Sequence, residues 1–247
     1  MNMPVPERMT AGTLLPGGLD QLGFCIIPDA VPEEFLNELA RSMESFSASL
    51  TPGARNLAEI APPVARLAAS REIVELLERL GAPGAFLVRS IFFDKQPGAN
   101  WKVPWHQDLT IAVRQRKEIA AFGPWSRKEG IPHVQPPAEV LEKMVTLRLH
   151  LDDCDADNGP LKILPASHRY GILCPESVQK WRSECAEVVC AAARGDILAM
   201  RPLLLHASSQ AVRPTHRRVI HLEFAMDELP GGLEWKWRGT KNEWAKE

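Results

Sequence analysis

The sequence predicts a mostly β fold with helices flanking it on the N-terminal side, and three observations carry that expectation. Apolar residues recur at helical spacing only before about residue 82. Beyond Pro83-Gly84 the chain breaks into short runs rich in Val, Ile, Leu and Phe, separated at irregular intervals by Gly, Pro and Asp. Strands do not alternate with long helical stretches, so a sandwich or barrel is expected rather than a parallel sheet.

In chain order, residues 23–28 read as a short apolar strand closed by Pro28. Phe35, Leu39, Met43 and Phe46 place a helix over residues 31 to about 50. A second helix follows Pro62-Pro63, carried by Val64, Leu67, Ile73, Leu76, Leu77 and Leu80, and stops at Gly81. These helices are expected to pack on one sheet. Strands are expected at 85–93, 101–111, 144–151, 161–164, 197–200 and 219–225. Residues 115–137, with their charges, glycines and prolines, read as a long loop or partly helical insertion, of the kind that serves as a lid.

The 247 residues fit one domain over 1–247, with a helical flank to about 82 and a β core over about 83–228. A globule of that size buries about 70–75% of its extended-chain surface and needs no disulfide or metal merely to fold. The cysteines, Cys25, Cys154, Cys174, Cys185 and Cys190, are odd in number and lack CxxC spacing, so free thiols are expected. Lys plus Arg (29) nearly balances Asp plus Glu (31), which points to neither nucleic acid nor an anionic membrane. No apolar run is long enough to span a bilayer and no leader pattern opens the chain. A cytoplasmic protein acting on a small molecule, with no protein partner implied, is expected.

His106-Gln107-Asp108 is the most informative stretch. On an extended segment an imidazole and a carboxylate two residues apart project from one face, and such a pair can hold two positions on a divalent metal. Alone the spacing is weak, and a surface-exposed pair is the alternative. A distant histidine would complete the two-histidine, one-carboxylate triad of non-haem iron oxygenases. His206, followed by Ala207-Ser208-Ser209, is the best candidate among seven histidines, the alternative being an ordinary core or surface histidine. Arg217, at the start of an apolar strand, is expensive to bury unless it meets an anion, and its planar fork suits a carboxylate. Arg218 competes for that role, since neighbours on a strand face opposite ways.

In order along the chain stand Trp105-His106-Gln107-Asp108, the run Leu147-Arg148-Leu149-His150-Leu151-Asp152-Asp153, Asn158-Gly159-Pro160-Leu161, Pro165-Ala166-Ser167-His168, Gly195-Asp196, His206-Ala207-Ser208 and Arg217. This set, spanning roughly residues 86–225, resembles the phytanoyl-CoA dioxygenase family of Fe(II)/2-oxoglutarate oxygenases. The resemblance implies a double-stranded β-helix (jelly-roll) core and iron held by His106, Asp108 and His206. It implies that Arg217, helped by Ser208, takes the distal carboxylate of 2-oxoglutarate, with O2 as second cosubstrate and ascorbate as a reductant. His168 then shapes a loop. The implied reaction is hydroxylation of an unactivated C–H bond, releasing succinate and CO2. Asp108 favours it over halogenation, because related halogenases carry a small residue there.

Arg148 and His150 depart from the family pattern and share a face with Thr146. They are expected to meet a polar or anionic substrate or the cosubstrate, or else to pair with local carboxylates. Arg89 is a weaker candidate of the same kind, and His133 is either at the mouth of the site or solvated. Asp153-Cys154-Asp155-Ala156-Asp157-Asn158-Gly159 is not a calcium loop, since Asn158 and Leu164 stand where glycine and glutamate are needed. The rival readings are a metal-dependent jelly-roll hydrolase or isomerase, disfavoured by Arg217 and Ser208, and a silent binding module, disfavoured by the intact ligand set.

Overall fold

The computed structural model describes residues 17–48 and 53–238. The first 16 residues of the expected flank, and the end of the helix expected to reach about 50, lie outside the described residues. Thirteen strands run in order among the described residues. They are β1 (Phe24–Ile27), β2 (Ala54–Arg55), β3 (Phe86–Asp94), β4 (Val103–His106), β5 (Ile111–Ala112), β6 (Trp125–Lys128), β7 (Ile131–Val134), β8 (Met144–His150), β9 (Leu161–Ile163), β10 (Val188–Cys190), β11 (Ile197–Met200), β12 (His206–Ser208) and β13 (Arg218–Ala225). They form a six-stranded sheet ordered β1-β11-β8-β13-β3-β2, a four-stranded sheet β10-β9-β12-β4 and a three-stranded sheet β5-β7-β6. Every pairing is antiparallel. The sheets form a jelly-roll sandwich that does not close into a barrel.

Period-two alternation gives the six-stranded sheet two chemically different faces. Val145, Leu147 and Leu149 of β8, Ile197 and Ala199 of β11, and Ile220, Leu222 and Phe224 of β13 join one buried cluster with Leu36, Leu39, Val64, Leu67, Ile73 and Leu76 of the helices. The helices therefore cover one face, as expected. The opposite face contributes Leu198 and Met200 to a cluster with Leu161, Ile163 and Cys190 of the four-stranded sheet. Val88, Met144 and Ala225 join a further cluster beside the three-stranded sheet, and between these apolar patches stand Arg89, Thr146, Arg148, His150, His221 and Glu223, all on the strands β3, β8 and β13.

Two expected helices are divided. The first breaks at Met43 into Glu33–Ser42 and Glu44–Ser47, a change of direction that sets Phe46 against Phe92 of the sheet (ring centroids 6.4 Å apart). The second breaks at Ser70, whose hydroxyl accepts the Ile73 N–H at 3.4 Å and caps a new helix, Arg71–Arg79. That helix stops as expected: Gly81 takes φ +76° and the Ala82 N–H returns to the Leu77 carbonyl at 2.9 Å.

The 101–111 run is not one strand. It serves two sheets, β4 in the four-stranded and β5 in the three-stranded one. The 115–137 segment is not helical either. Trp125–Lys128 and Ile131–Val134 form a hairpin closed by Glu129 (φ +48°) and Gly130 (φ +79°), the positive pair a tight two-residue turn requires. Prolines 124, 132, 136 and 137 oppose a helix here. The hairpin rests on Leu229, Leu233 and Trp235 through Phe122 and Val134. All five cysteines are free, as expected. No helix among the described residues is long and apolar enough to cross a membrane.

Leu39 is fully buried between helix and sheet, whereas Ile60 is 55% exposed. Leu39→Ala should cost about 2–5 kcal/mol, and Ile60→Ala should stay within about 0.5 kcal/mol. Urea melts followed by circular dichroism check both.

Candidate metal and cosubstrate site

The register of β4 with β12 places His206 directly opposite His106, with ring centroids 4.2 Å apart. Asp108 lies just past the end of β4, and its backbone N–H donates to the Pro202 carbonyl at 2.9 Å. Its two carboxylate oxygens stand 3.6 Å from His106 Nε2 and 3.6 Å from His206 Nε2. One ligand-type atom from each side chain falls within 4.8 Å of the other two, a set able to hold a metal ion.

Both imidazoles are pinned by their own backbone. His106 Nδ1 lies 2.9 Å from the Pro104 carbonyl, and His206 Nδ1 lies 2.8 Å from the Leu204 carbonyl. A carbonyl only accepts, so each Nδ1 carries the proton and each Nε2 keeps its lone pair toward Asp108. Burial pushes His206 down to about 4 although Asp108 opposes it, so this ring is neutral at neutral pH. Burial also lowers His106, but Asp108 outweighs it and leaves that ring above its usual value. Burial raises the Asp108 carboxyl, yet the facing imidazoles of His206, His106 and His221 hold it well below the carboxylate range. An anionic oxygen between two imidazole lone pairs suits a borderline divalent cation.

Beside this triad lies a second constellation. Ser208, two residues along β12 from His206, accepts from Lys95 Nζ at 3.0 Å, and Lys95 also donates to the Ser209 carbonyl. Lys95 is fully buried, and burial followed by the Arg217 charge pushes it down to about 7. Lys95 and Arg217 exchange backbone hydrogen bonds at 3.3 and 3.0 Å, so they sit opposite one another. Arg217 is 3% exposed, donates to the Gly159 carbonyl, and leaves Nε buried with no partner. Gly159 is required at that turn, since it takes φ +63° and a Cβ would meet the Ser209 carbonyl at 2.7 Å. Arg218 faces the other way and is held by Asp152 at 2.6 and 2.9 Å. The two arginines thus divide as alternation requires: one paired with a carboxylate, the other buried beside a lysine and a hydroxyl. Sequence reasoning missed Lys95, whose burial depends on contacts remote in sequence.

The inward face of the six-stranded sheet continues the polar surface. His221 Nδ1 accepts from Arg148 Nη1 at 2.8 Å, so its other nitrogen donates to Glu223 Oε1 at 3.0 Å. Arg89 also binds Glu223, and it donates to the Thr110 carbonyl at 3.0 Å. His221, Glu223 and Asp108 bring ligand-type atoms within 4.8 Å of one another, so this network reaches the triad. Sequence reasoning missed His221 and Glu223, although their alternation with Ile220, Leu222 and Phe224 marked them as facing inward. Arg148 and His150 line this face, as expected, and neither is paired with a carboxylate among the described residues. Arg148 lies over the Phe93 ring at 5.6 Å, and His150 Nδ1 is buried without a partner. His133 is 1% exposed rather than solvated, with Nδ1 3.1 Å from the Ile131 carbonyl. His168 braces a loop through the Asp20 carbonyl at 3.2 Å, away from the triad.

The sequence model of the phytanoyl-CoA dioxygenase (PhyH) family matches residues 19–219. The chain belongs to the phytanoyl-CoA dioxygenase family. It is thereby a member of a class of enzymes that depend on iron and 2-oxoglutarate. No curated protein matches this family member by sequence. Solved structures similar to it include the non-haem alpha-ketoglutarate-dependent epimerase SnoN from nogalamycin biosynthesis, at 16% identity and TM-score 0.65 over 88% of this chain and 87% of that one. EctD from S. alaskensis, with 2-oxoglutarate and 5-hydroxyectoine, matches at 17% identity and TM-score 0.65 over 85% and 74%. The carbocyclase SnoK, from the same biosynthesis as SnoN, matches at 15% identity and TM-score 0.66 over 90% and 88%. At these identities the likeness is one of fold.

In this family member Gln107, between His106 and Asp108, is a clamp. Its Nε2 donates to the Gly171 and Leu203 carbonyls at 2.8 and 2.7 Å, and its Oε1 accepts the Leu173 N–H at 2.8 Å. It ties the segment carrying His106 and Asp108 to the chain leading into β12. Gln107→Ala should leave fold and melting profile recognisable while weakening divalent-metal binding about 10–100-fold, as outer supports of metal ligands do. Equilibrium dialysis with metal analysis reads this directly.

Proposed function

We propose that this chain is an Fe(II)- and 2-oxoglutarate-dependent hydroxylase of a small polar molecule, acting on an unactivated C–H bond. The observation that carries the reading is the approach of the His106, Asp108 and His206 donor atoms to within 4.8 Å of one another. In it, those three residues hold the iron. Both histidines offer Nε2 because their Nδ1 protons are committed to carbonyls. Arg217 takes the distal carboxylate of 2-oxoglutarate with Lys95 and Ser208 beside it. The partnerless Arg217 Nε and the two adjacent buried cations support that role, since such groups are costly without an anion.

Iron and its cosubstrate supply the oxidising power when bound, with succinate and CO2 as co-products. The chain's own share is to bind, orient and exclude water. Asp108 occupies the position that related halogenases leave small, which favours oxygen transfer to substrate. Arg148, His150, Arg89, His221 and Glu223 line the inward face on which substrate would lie. The helical flank and the β core work as one catalytic domain in this reading, because they share one buried cluster. A second reading comes from SnoN and SnoK, an epimerase and a carbocyclase on a similar fold. Product mass separates the outcomes: hydroxylation adds one oxygen, epimerisation leaves the mass unchanged, and oxidative ring closure removes two hydrogens.

His106→Ala, Asp108→Ala and His206→Ala should each abolish Fe(II) binding and succinate release. Full 2-oxoglutarate turnover by the His206 variant would remove the third ligand. Arg217→Ala should raise the KM for 2-oxoglutarate about 10–100-fold, the worth of a buried charge-assisted pair. Arg218→Ala should change it less than about 3-fold, as for a partly exposed ion pair. The reverse ranking would move the anchor to Arg218.

A further inference from the structure

The hairpin β6–β7 brings Lys128 beside two cations of the six-stranded sheet. Lys128, the last residue of β6, donates from Nζ to the Thr110 hydroxyl at 3.2 Å. Arg89, from β3, donates to the carbonyl of the same Thr110 at 3.0 Å. Thr110 is two residues beyond Asp108, so both positive groups meet on the segment that carries the triad. A third cation, Arg55 of β2, approaches across the hairpin turn.

Each arginine in this cluster has its own carboxylate. Arg55 pairs with Glu129 and Arg89 with Glu223. Lys128 has none among the described residues, and it hydrogen-bonds to a neutral hydroxyl. The group is half-buried, and burial followed by the charges of Arg89 and Arg55 lowers its ammonium from the ordinary value. It also lies close enough to feel Asp108 and Glu223. An ammonium with two N–H donors to spare, facing two like charges, is a poor arrangement until an anion arrives. The oxygens of a carboxylate or phosphate could take the spare donors and relieve the repulsion.

We propose that Lys128, with Arg89 beside it, binds an anionic oxyacid group on the substrate, so that the substrate class is small molecules bearing a carboxylate or a phosphate. This rests on the proposed function only for what happens next to that group; the anion site stands on its own geometry. The inferred arrangement also gives the hairpin a task, since substrate would be held between β6 and the sheet. Arg217 and Lys95 remain the cosubstrate's.

The test titrates inorganic phosphate into the full chain under anaerobic conditions, with Fe(II) and saturating 2-oxoglutarate, by calorimetry. Phosphate should bind the unaltered protein. Lys128→Met should weaken that binding at least about 10-fold, the loss of one charge-assisted contact. Lys128→Arg should restore most of it, and Lys180→Met, on an exposed helix, should change nothing. No phosphate binding to the unaltered protein, or equal binding by Lys128→Met in a folded state, overturns the proposal. So does a raised KM for 2-oxoglutarate in Lys128→Met, which would assign the lysine to the cosubstrate. A succinate-release screen then pairs carboxylic acids with their primary amides and phosphates with their parent alcohols. Activity only with the charged member supports the proposal, and the active series tells carboxylate from phosphate. A neutral compound whose KM is unchanged in Lys128→Met overturns it. Lys128-dependent phosphate binding in a protein that never consumes 2-oxoglutarate would instead count against the cofactor reading alone.

Discussion

The site depends on one register. Because β12 runs antiparallel to β4 with His206 opposite His106, two imidazoles from distant parts of the chain meet without any loop having to position them. A shift of one residue would turn His206 to the other face of its strand. Ser208, two residues along, would turn with it and leave Lys95. Gln107 reinforces the alignment by fastening both segments to one another, and the backbone carbonyls of Pro104 and Leu204 fix the ring tautomers. The candidate metal triad and the contact of Ser208 with Lys95 are therefore consequences of a single strand pairing.

The six-stranded sheet separates two kinds of work. Its helix-side face is apolar and supplies stability through Leu147, Leu149, Ile220 and Leu222. Its inward face carries Arg89, Arg148, His221 and Glu223 in a connected network, where each group costs free energy unless satisfied. Glu223 is satisfied from two sides. Lys95 and Arg217, in contrast, lie side by side as like charges, an arrangement a bound dicarboxylate would relieve. A ligand that relieves it also stabilises the fold by mass action.

Much of this was legible in the sequence because it is local or strictly periodic. The helices before residue 82, the His-x-Asp pair, the stop at Gly81 and the opposite facing of Arg217 and Arg218 all follow from spacing on one element. Lys95 was not legible, since nothing in Asp94-Lys95-Gln96 announces that the ammonium ends beneath Ser208, more than a hundred residues away. The hairpin at 125–134 was readable only in hindsight: its turn is Glu129-Gly130 rather than the Asn-Gly or Asp-Gly that signals such turns most strongly. The break at Ser70 hides inside a continuous apolar period, because a capping serine satisfies the new helix without disturbing the buried stripe. His221 and Glu223 were visible as polar positions on an apolar strand, but their partners, Arg148 and Arg89, come from neighbouring strands.

The central claim is that the His106–Asp108–His206 triad and the Arg217–Lys95–Ser208 pocket act together on one metal-bound cosubstrate. An anaerobic optical titration of 2-oxoglutarate into Fe(II)-loaded protein addresses it most directly, since chelation of iron by the 2-oxoacid gives a visible charge-transfer absorption. If the two constellations cooperate, the absorption rises to saturation at equimolar cosubstrate, is absent in Asp108→Ala, and needs far more 2-oxoglutarate in Arg217→Ala. Tight Fe(II) binding with no such absorption at any 2-oxoglutarate concentration would contradict the account.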